Sequence, residues 1–318
     1  MQNKLNWQEY LLLGDIPATG DRKVKTLSLE KRKWIAAYLF IIPIVVLFTI
    51  FRIYPAFYNF ALSFMKWNIF KNQGTWVGLK NYTRLLEDET FLTAFKNTLL
   101  YTGIFLPIQI SASLGIALLL NVKFPGRSFC RAVFFAPYIV TLVATSAVWK
   151  WLYDPTSGLI NAFLEELNLP TSLWLLGENT ALGSVIIYSV WQSIGYGMII
   201  FLAGLQGIPQ QYYEAAQIDG ASKFQSFLHI TLPLLVPIML FVLVMMTIAS
   251  FGVFSQIYVM TQGGPAYATL VLVLYMYNQA FTFLNFGYGA AIAVAFFAFV
   301  LAVTLIELKF GGRRVISY

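Results

Sequence analysis

Six stretches of the chain are apolar and long enough to cross a lipid bilayer as helices. A spanning helix needs about 20 mostly apolar residues, and it satisfies its own backbone hydrogen bonds where no water is available. The stretches lie at residues 34–53, 98–120, 129–152, 181–205, 234–259 and 286–308. The third contains Pro137, which membrane helices tolerate because neighbouring groups take up the freed carbonyl. The sequence therefore predicts an all-α, polytopic membrane protein with six transmembrane helices.

The amino-acid composition supports a lipid environment. Hydrophobic residues make up 58% of the 318 residues and charged residues only 11%, against about 25% charged residues in an average soluble domain. The net charge of +7 comes from Lys and Arg beside the apolar stretches, a pattern that orients membrane proteins and is not typical of nucleic-acid binding. We therefore expect membrane lipid as a partner and no nucleic acid.

The distribution of Lys and Arg predicts the side of the membrane on which each loop lies, because cytoplasmic loops are enriched in both residues. They cluster before the first stretch, between the second and third, and after the sixth, whereas 153–180 has none and 260–285 has no charge at all. We predict a multi-pass protein with both termini in the cytoplasm. It would comprise a cytoplasmic N-terminal extension (1–33), a transmembrane domain (34–308) and a cytoplasmic C-terminal tail (309–318).

Some shorter segments also carry structural signals. In the N-terminal extension, Trp7, Tyr10 and Leu11–Leu13 form either a short interfacial helix or part of a flexible tail, and the apolar patch is too short for a secretory signal peptide. Residues 159–169 have apolar side chains at helical spacing, which predicts an amphipathic helix on the outer surface. The run Gly263–Pro265 predicts a sharp turn after the fifth span.

No set of residues in the sequence points to catalysis or metal binding. The single Cys130 and the single His229 do not make a Cys/His cluster, and there is no Gly-Lys pair and hence no P-loop. Charged residues are nearly absent from the span centres, where proton- or sodium-coupled transporters keep Asp, Glu or His. We predict that the chain is not an enzyme and has no catalytic residue, no metal site and no cofactor of its own.

Residues 209–233 form a polar segment between the fourth and fifth stretches. Gln210–Ile218 are predicted to be helical, and Gly220 suits a left-handed C-terminal cap because glycine adopts this conformation without steric cost. Asp219 or Ser222 suits the N-cap of a second helix. Such a helix–turn–helix either does no more than join two spans or forms a rigid cytoplasmic knob that transmits motion from a soluble partner.

This segment resembles the cytoplasmic EAA loop of permease subunits in binding-protein-dependent ABC importers. The resemblance rests on Glu214-Ala215-Ala216, on Gly220-Ala221 and on Ile230-Thr231-Leu232-Pro233. Other segments resemble carbohydrate permeases of the maltose type. These are Val77–Tyr82 with Asn97-Thr98 before the second span, Arg131–Pro137 in the third span and Thr261–Pro265 after the fifth. The resemblance covers most of the chain and implies a type I ABC importer permease architecture in a bacterial inner membrane.

The resemblance also implies roles and partners. The loop would dock on a separate ATPase dimer that binds ATP and Mg, with Glu214 and Gly220 central to the contact. The supporting residues would be Ala215, Ala216, Asp219 and Ala221. An external solute-binding protein would deliver a sugar or oligosaccharide, and a second permease subunit would complete the pore. We expect that subunit to be a homologous but different chain, with a homodimer as the alternative.

A sugar pathway is expected near mid-bilayer, where the spans converge on the pore. Aromatic rings pack against the apolar faces of sugars, and amide or hydroxyl groups bind sugar hydroxyls. The candidates with such side chains in spans four and five are Gln192, Tyr196, Ser250, Phe254, Ser255, Gln256 and Tyr258. Small and polar residues also pack between membrane helices, so helix packing is the alternative role for each of them.

The sequence leaves other functions open. The same mechanism with a different cargo, such as glycerol phosphate or an acidic oligosaccharide, fits the same motifs. A self-contained channel or ion-coupled secondary transporter would move solute without an ATPase, but the lack of intramembrane charge argues against it. A membrane scaffold that transports nothing predicts no effect of Glu214→Lys on any flux.

Overall fold

A computed structural model describes residues 29–68 and 73–312 of the chain. Most of the predicted N-terminal extension, including Trp7, Tyr10 and Leu11–Leu13, lies outside the described residues, as do residues 313–318 of the predicted tail. The described chain is predominantly helical and divides into two compact units, with the boundary between Ala56 and Phe57. The functional division of the chain into extension, transmembrane domain and tail stays a prediction.

The first unit, which ends at Ala56, is an apolar helical segment. Helix α1 (Leu29–Phe48) continues through a π turn (Thr49–Ile53) into the first residues of helix α2 (Tyr54–Leu62). Apolar side chains are exposed on all sides of α1, which is typical of a helix surrounded by lipid. This helix begins before residue 34, the predicted start of the first span.

The second unit, which begins at Phe57, contains a hairpin and the remaining helices. The hairpin pairs β1 (Met65–Asn68) with β2 (Gln73–Trp76) in antiparallel orientation, a feature that the all-α prediction missed. The longer helices are α3 (Lys80–Glu87), α4 (Glu89–Asn121), α5 (Arg127–Ile139), α6 (Leu142–Leu152), α7 (Leu159–Glu166), α8 (Ala181–Gly207), α9 (Gln210–Ile218), α11 (Leu232–Phe251) and α14 (Phe286–Gly312). The shorter ones are α10 (Lys223–Ser226), α12 (Ser255–Met260) and α13 (Leu272–Tyr277), with a 3₁₀ turn at Trp174–Leu176 and π turns at Phe227–Thr231 and Asn278–Thr282.

Five helical segments of the described chain are long and apolar enough to span a bilayer, and a sixth is obtained if the bent pair α5 and α6 counts as one span. The five are Lys33–Leu62, Glu89–Asn121, Ala181–Gly207, Lys223–Met260 and Phe286–Gly311. Each overlaps a predicted span, so the order is confirmed, and the predicted number of six is reached when the bent pair counts as one span. Several of the helices begin earlier than the hydropathy indicated. The predicted amphipathic helix in 159–169 is confirmed as α7, which ends at Glu166.

The third span differs from its prediction. Instead of a single helix over 129–152, the chain forms α5 and α6 with a bend of 97° between them. The break falls at Val140 and Thr141, which are extended, three residues after the Pro137 that the prediction placed inside a continuous helix. Extended backbone at membrane depth is tolerated where it lines a polar cavity, and both residues lie on such a cavity, described below.

The fifth span begins well before residue 234, its predicted start, because α10 runs into α11 through the π turn Phe227–Thr231. Pro233 lacks an N–H, so the carbonyl four residues earlier loses its usual helical donor. The helix adapts by one wider turn, in which the Leu232 amide donates to the Phe227 carbonyl. Pro233 is therefore the second residue of α11, and the π turn joins α11 to α10 within one span.

The spans of the second unit pack around α8, whose apolar window is more buried than that of any other span described. Helix α8 packs against α4, α5 and α11, and α11 also packs against α4 and α14. Glycine permits the close approach to α5, because a Cβ on Gly195 would collide with the Phe134 carbonyl oxygen and lie 2.7 Å from the Phe135 Cα. Small residues at membrane helix interfaces serve this purpose.

Candidate functional site

The 209–233 loop folds as helix, turn and helix. Helix α9 has the predicted bounds, Gln210–Ile218. Gly220 adopts a left-handed φ of 77°, as predicted, and the Ala221 amide donates to the Ala216 carbonyl over 2.8 Å. This bond belongs to a Schellman cap, in which the residue after the left-handed glycine closes the last helical turn. The end of α9 is therefore encoded by the glycine.

Of the two predicted caps for the second helix, Ser222 is the one used and Asp219 is not. The Ser222 Oγ accepts from the Gln225 amide over 3.2 Å, and the Gln225 Oε1 accepts from the Ser222 amide over 2.7 Å. This capping box satisfies two backbone donors at the helix start. A hydrogen bond of 2.9 Å between the Tyr213 and Thr231 hydroxyls joins α9 to the base of the fifth span.

The surface of the loop combines polar and apolar groups. A cavity of about 360 Å³ is lined by four of the six predicted loop residues, Ala216, Asp219, Gly220 and Ala221. Glu214 and Ala215 do not line it and are exposed on α9. Ile218 and Phe224, which were not among the predicted loop residues, have side chains that are 87% and 68% exposed. Apolar side chains this exposed are candidates for a protein contact, and their position in a polar segment was the available signal.

A central cavity of about 540 Å³ lies between α4, α5, α8 and the fifth span. Two helix breaks form part of its wall, one at Val140 and Thr141 and one at Gly252–Phe254, between α11 and α12. Helix breaks present backbone groups that no helical turn uses, which suits a wall facing polar solute. Helices α6 and α12, which follow the two breaks, pack against each other.

The structure brings five of the seven predicted pathway residues to this cavity. They are Gln192, Ser250, Phe254, Ser255 and Gln256. Tyr196 and Tyr258 do not line it. The Tyr196 ring lies 4.9 Å from that of Tyr138, a lining residue, and the Tyr258 ring lies 5.4 Å from that of Phe254. These two tyrosines therefore pack against residues that line the cavity without lining it themselves.

Other lining residues were not among the candidates predicted from the sequence, and they come from α4, α5, the break before α6 and two further positions on α8. They include Tyr101, Phe105, Tyr138, Thr141, Ser189 and Ser193. The Gln256 amide nitrogen lies 3.4 Å from the Tyr101 hydroxyl and 3.5 Å from the Ser189 hydroxyl, which links three helices across the cavity. The lining holds no charged side chain. The cavity therefore offers hydroxyls, amides and aromatic rings to a solute.

A polar cluster at the start of α4 joins distant elements. The Asp88 Oδ1 accepts from the Thr90 and Phe91 amides, and its Oδ2 accepts from the Tyr275 and Tyr288 hydroxyls over 2.5 and 2.6 Å. Burial raises the pKa of Asp88, but the two tyrosine hydroxyls and the two amides outweigh it and lower the net pKa below the ordinary value of 3.8. The carboxylate is thus held ionised and joins α4 to α13 and α14.

Within 29–68 and 73–312, no group of three or more His, Cys, Asp or Glu side chains could hold a metal ion.

A predominantly helical chain with several apolar spans, a polar cavity between broken helices and an exposed helix–turn–helix loop belongs to the class of membrane transport proteins. Residues 33–313 match the family model described as "Binding-protein-dependent transport system inner membrane component". The chain belongs to this family. It is therefore a multi-pass inner-membrane component that serves transport rather than catalysis.

Individual relatives agree with the family assignment. The chain is 35% identical to the trehalose/maltose transport system permease protein MalF of Thermococcus litoralis, over 91% of this chain and 98% of the relative. It is 36% identical to the arabinooligosaccharides transport system permease protein AraP of Bacillus subtilis, over 87% and 88% of the two chains. A chain in a crystal structure of a bacterial alginate ABC transporter, with a bound periplasmic protein, matches with a TM-score of 0.79 at 24% identity, over 89% of this chain and 96% of that one. This structural match supports the fold.

Proposed function

We propose that this chain is the permease subunit of an ATP-driven importer that moves a neutral sugar or oligosaccharide across the inner membrane. The observation that carries the proposal is the central cavity, which combines aromatic rings with uncharged hydroxyl and amide groups. Such a surface binds a sugar through its ring faces and hydroxyls. Two relatives with names that refer to trehalose/maltose and arabinooligosaccharides support the same class of cargo.

The uncharged lining bears on the alternative cargoes. A phosphate ester or an acidic oligosaccharide would lose hydration in the cavity without gaining a cationic partner from the lining of this chain. A neutral sugar carries no such cost, because its hydroxyls can pair with Gln192, Gln256 and the serines of the wall. The lining that this chain contributes thus suits neutral cargo better than glycerol phosphate or an acidic oligosaccharide.

The 209–233 loop is the proposed site of coupling to a separate ATPase subunit. Its backbone caps make a rigid knob, and the exposed Ile218 and Phe224 provide apolar area for a protein contact. Glu214 and Gly220 would be central to the contact, with Ala215, Ala216, Asp219 and Ala221 in support. ATP and Mg would bind to the ATPase dimer.

The remaining partners complete the transport cycle. Both termini and the 209–233 loop would face the cytoplasm, and an external solute-binding protein would dock on the opposite side. A second permease subunit, most simply a homologous but different chain, would form the other half of the pore. ATP binding would favour the outward-facing state and hydrolysis the inward-facing one, because each ligand shifts the population toward the state that it binds more tightly.

Purification of the chain from its native membrane in mild detergent tests this proposal. We expect a second permease and an ATPase to co-purify, with ATP hydrolysis raised by a sugar-loaded binding protein. A matched pair of variants locates the contact: Ile218→Asp should lose the ATPase, whereas Leu86→Asp, which is similarly exposed on α3, should retain it. Recovery of the chain alone, with solute flux driven by an ion gradient, would instead establish a self-contained carrier.

A further inference from the structure

A second cavity, of about 390 Å³, lies at the opposite end of α6 and α12 from the central cavity. The central cavity meets these helices at Leu142 and Gln256, and the second meets them at Lys150 and Met260. The Lys150 Nζ donates to the Val259 carbonyl over 3.3 Å, so the two helices are also joined at this second end. The rest of the wall comes from the loops at 153–180 and 260–285, which their lack of Lys and Arg predicts to lie outside the membrane. We call this space the outer cavity.

The outer cavity presents a mixture of polar and apolar groups. Lys150 brings an ammonium, Asp154 a carboxylate and the exposed Gln262 an amide, while Leu176 and Pro265 add apolar surface. A sugar ring has hydroxyls that both donate and accept hydrogen bonds, and C–H faces that pack against apolar side chains. A ligand of this kind can use every group in the lining.

The Asp154 carboxylate is held in place by its own turn. Its Oδ1 accepts from the amides and hydroxyls of Thr156 and Ser157 over 2.8 to 3.0 Å, and its Oδ2 takes part in none of these bonds. The Ser157 amide, followed by the Thr156 and Ser157 hydroxyls and the Thr156 amide, lowers the pKa of Asp154 to about 2. The group is therefore a fixed acceptor at neutral pH.

The spacing of the two cavities limits what can occupy both. Leu142 and Lys150 are separated by about 12 Å along α6, at 1.5 Å per residue, which is longer than one sugar ring. A monosaccharide cannot reach across this distance, whereas an oligosaccharide of a few rings can. Helix α12 packs against α6, and each helix has its first residues at the central cavity and its last at the outer cavity, so the helix pair connects the two cavities.

We propose that the outer cavity is a second saccharide subsite, which binds one end of an oligosaccharide while its other end lies in the central cavity. This inference rests on the proposed function. It predicts that the outer cavity contributes to the transport of long saccharides and not of short ones.

The test is transport by the complete reconstituted importer with Gln262→Ala. The probes are maltose with maltotetraose, and arabinobiose with arabinotetraose. Loss of one hydrogen bond should raise the KM for the tetrasaccharide about fivefold and leave that for the disaccharide unchanged. Gln73→Ala, an exposed glutamine on β2 outside both cavities, is the matched control and should change neither. Leu176→Trp, which narrows the outer cavity from an exposed position, should give the same dependence on chain length.

Distinct outcomes would overturn the inference. Equal effects on short and long saccharides, or no effect of either variant, would exclude a length-dependent subsite while leaving the proposed function intact. A weaker affinity of the binding protein for the Gln262→Ala complex, measured without transport, would assign the outer cavity to protein docking. If the wild-type importer moved none of the four saccharides but did move a solute that is not a saccharide, both the subsite and the sugar cargo would be wrong.

Discussion

The 209–233 loop and the central cavity are both polar regions of an apolar protein, yet different kinds of contact build them. In the loop, the stabilising bonds join residues a few positions apart, such as Ser222 with Gln225 and Ala216 with Ala221. In the cavity, the bonds that connect one helix to another join residues far apart, such as Gln256 with Tyr101. Local contacts can form within a short peptide, whereas the cavity exists only after the spans have packed. Substitutions in the loop should therefore impair coupling to ATP hydrolysis, whereas substitutions around the cavity should impair helix packing or sugar binding.

The largest effect is expected from Gly220→Trp and Glu214→Lys in the loop. Gly220 has a left-handed φ and open space around it, so a side chain there strains the turn by about 1–2 kcal/mol and blocks the surface without disturbing the spans. We expect both variants to insert into the membrane, but uptake should fall to background and ATP hydrolysis should be uncoupled from transport. Uptake assays beside an ATPase assay measure this.

The control for the loop variants is Gly207→Ala, since Gly207 also has open space but an ordinary φ at the end of α8. It should transport normally. Normal coupled transport by Gly220→Trp and Glu214→Lys as well would remove the loop from the mechanism.

The next effect is expected on stability, where α8 packs closely against α5. Gly195→Leu would force α8 away from the Phe134 backbone, and overpacking of this kind costs about 1–3 kcal/mol. Gly183→Leu, on the same helix but with open space around it, should be tolerated. Thermal unfolding of the two purified variants compares them. Equal unfolding temperatures would show that the spans around the cavity repack freely and that close packing does not define it.

A smaller effect is expected from Gln192→Ala and Gln256→Ala inside the cavity. Removing one hydrogen bond to a sugar weakens binding by about 1 kcal/mol, or roughly fivefold in KM. Folding should be unaffected, in contrast to the Gly195 variant. Concentration-dependent uptake of a neutral disaccharide is the measurement, with Gln73→Ala as the control. An unchanged KM for both variants would favour helix packing, the alternative role of these residues.

The smallest effect is expected for Asp88→Asn, at a residue that combines both kinds of contact. Its Oδ1 makes a local N-cap, and its Oδ2 makes long-range bonds to Tyr275 and Tyr288. Asparagine keeps the cap but weakens the tyrosine bonds, which should cost about 1 kcal/mol of unfolding free energy. Denaturation of the wild type and the variant measures the difference.

The pH dependence of the Asp88 effect has a defined sign. Because the pKa is lowered in the folded state, the carboxylate stabilises the fold above its ordinary pKa of 3.8 and loses this contribution as the pH falls through the lower folded value. The difference between wild type and Asp88→Asn should therefore stay constant from about pH 8 to about pH 5 and shrink at more acidic pH. A difference that disappears near neutral pH would show that the carboxylate is not held ionised.

Hydropathy and the chemistry of turn residues were sufficient to predict the order of the spans and the helix–turn–helix conformation of the 209–233 loop. Gly220 terminates α9 because only glycine takes that conformation without cost, and Ser222 begins α10 through its own side chain. The same signals placed the boundaries of the fifth span wrongly. The predicted start at residue 234 is too late, because a π turn at Phe227–Thr231 joins α10 to α11 and the span begins at Lys223.

The sequence by itself determined that this chain is a helical membrane protein with a capped polar loop, because hydrophobic length and cap residues act over a few turns of chain. Only the tertiary structure decided the bend at Val140 and Thr141, the exclusion of Tyr196 and Tyr258 from the cavity, and the entry of Tyr101 and Ser189 into it. These depend on which helix faces which. Polar residues in spans look alike in a sequence, and only packing decides which of them face a cavity and which face a neighbouring helix.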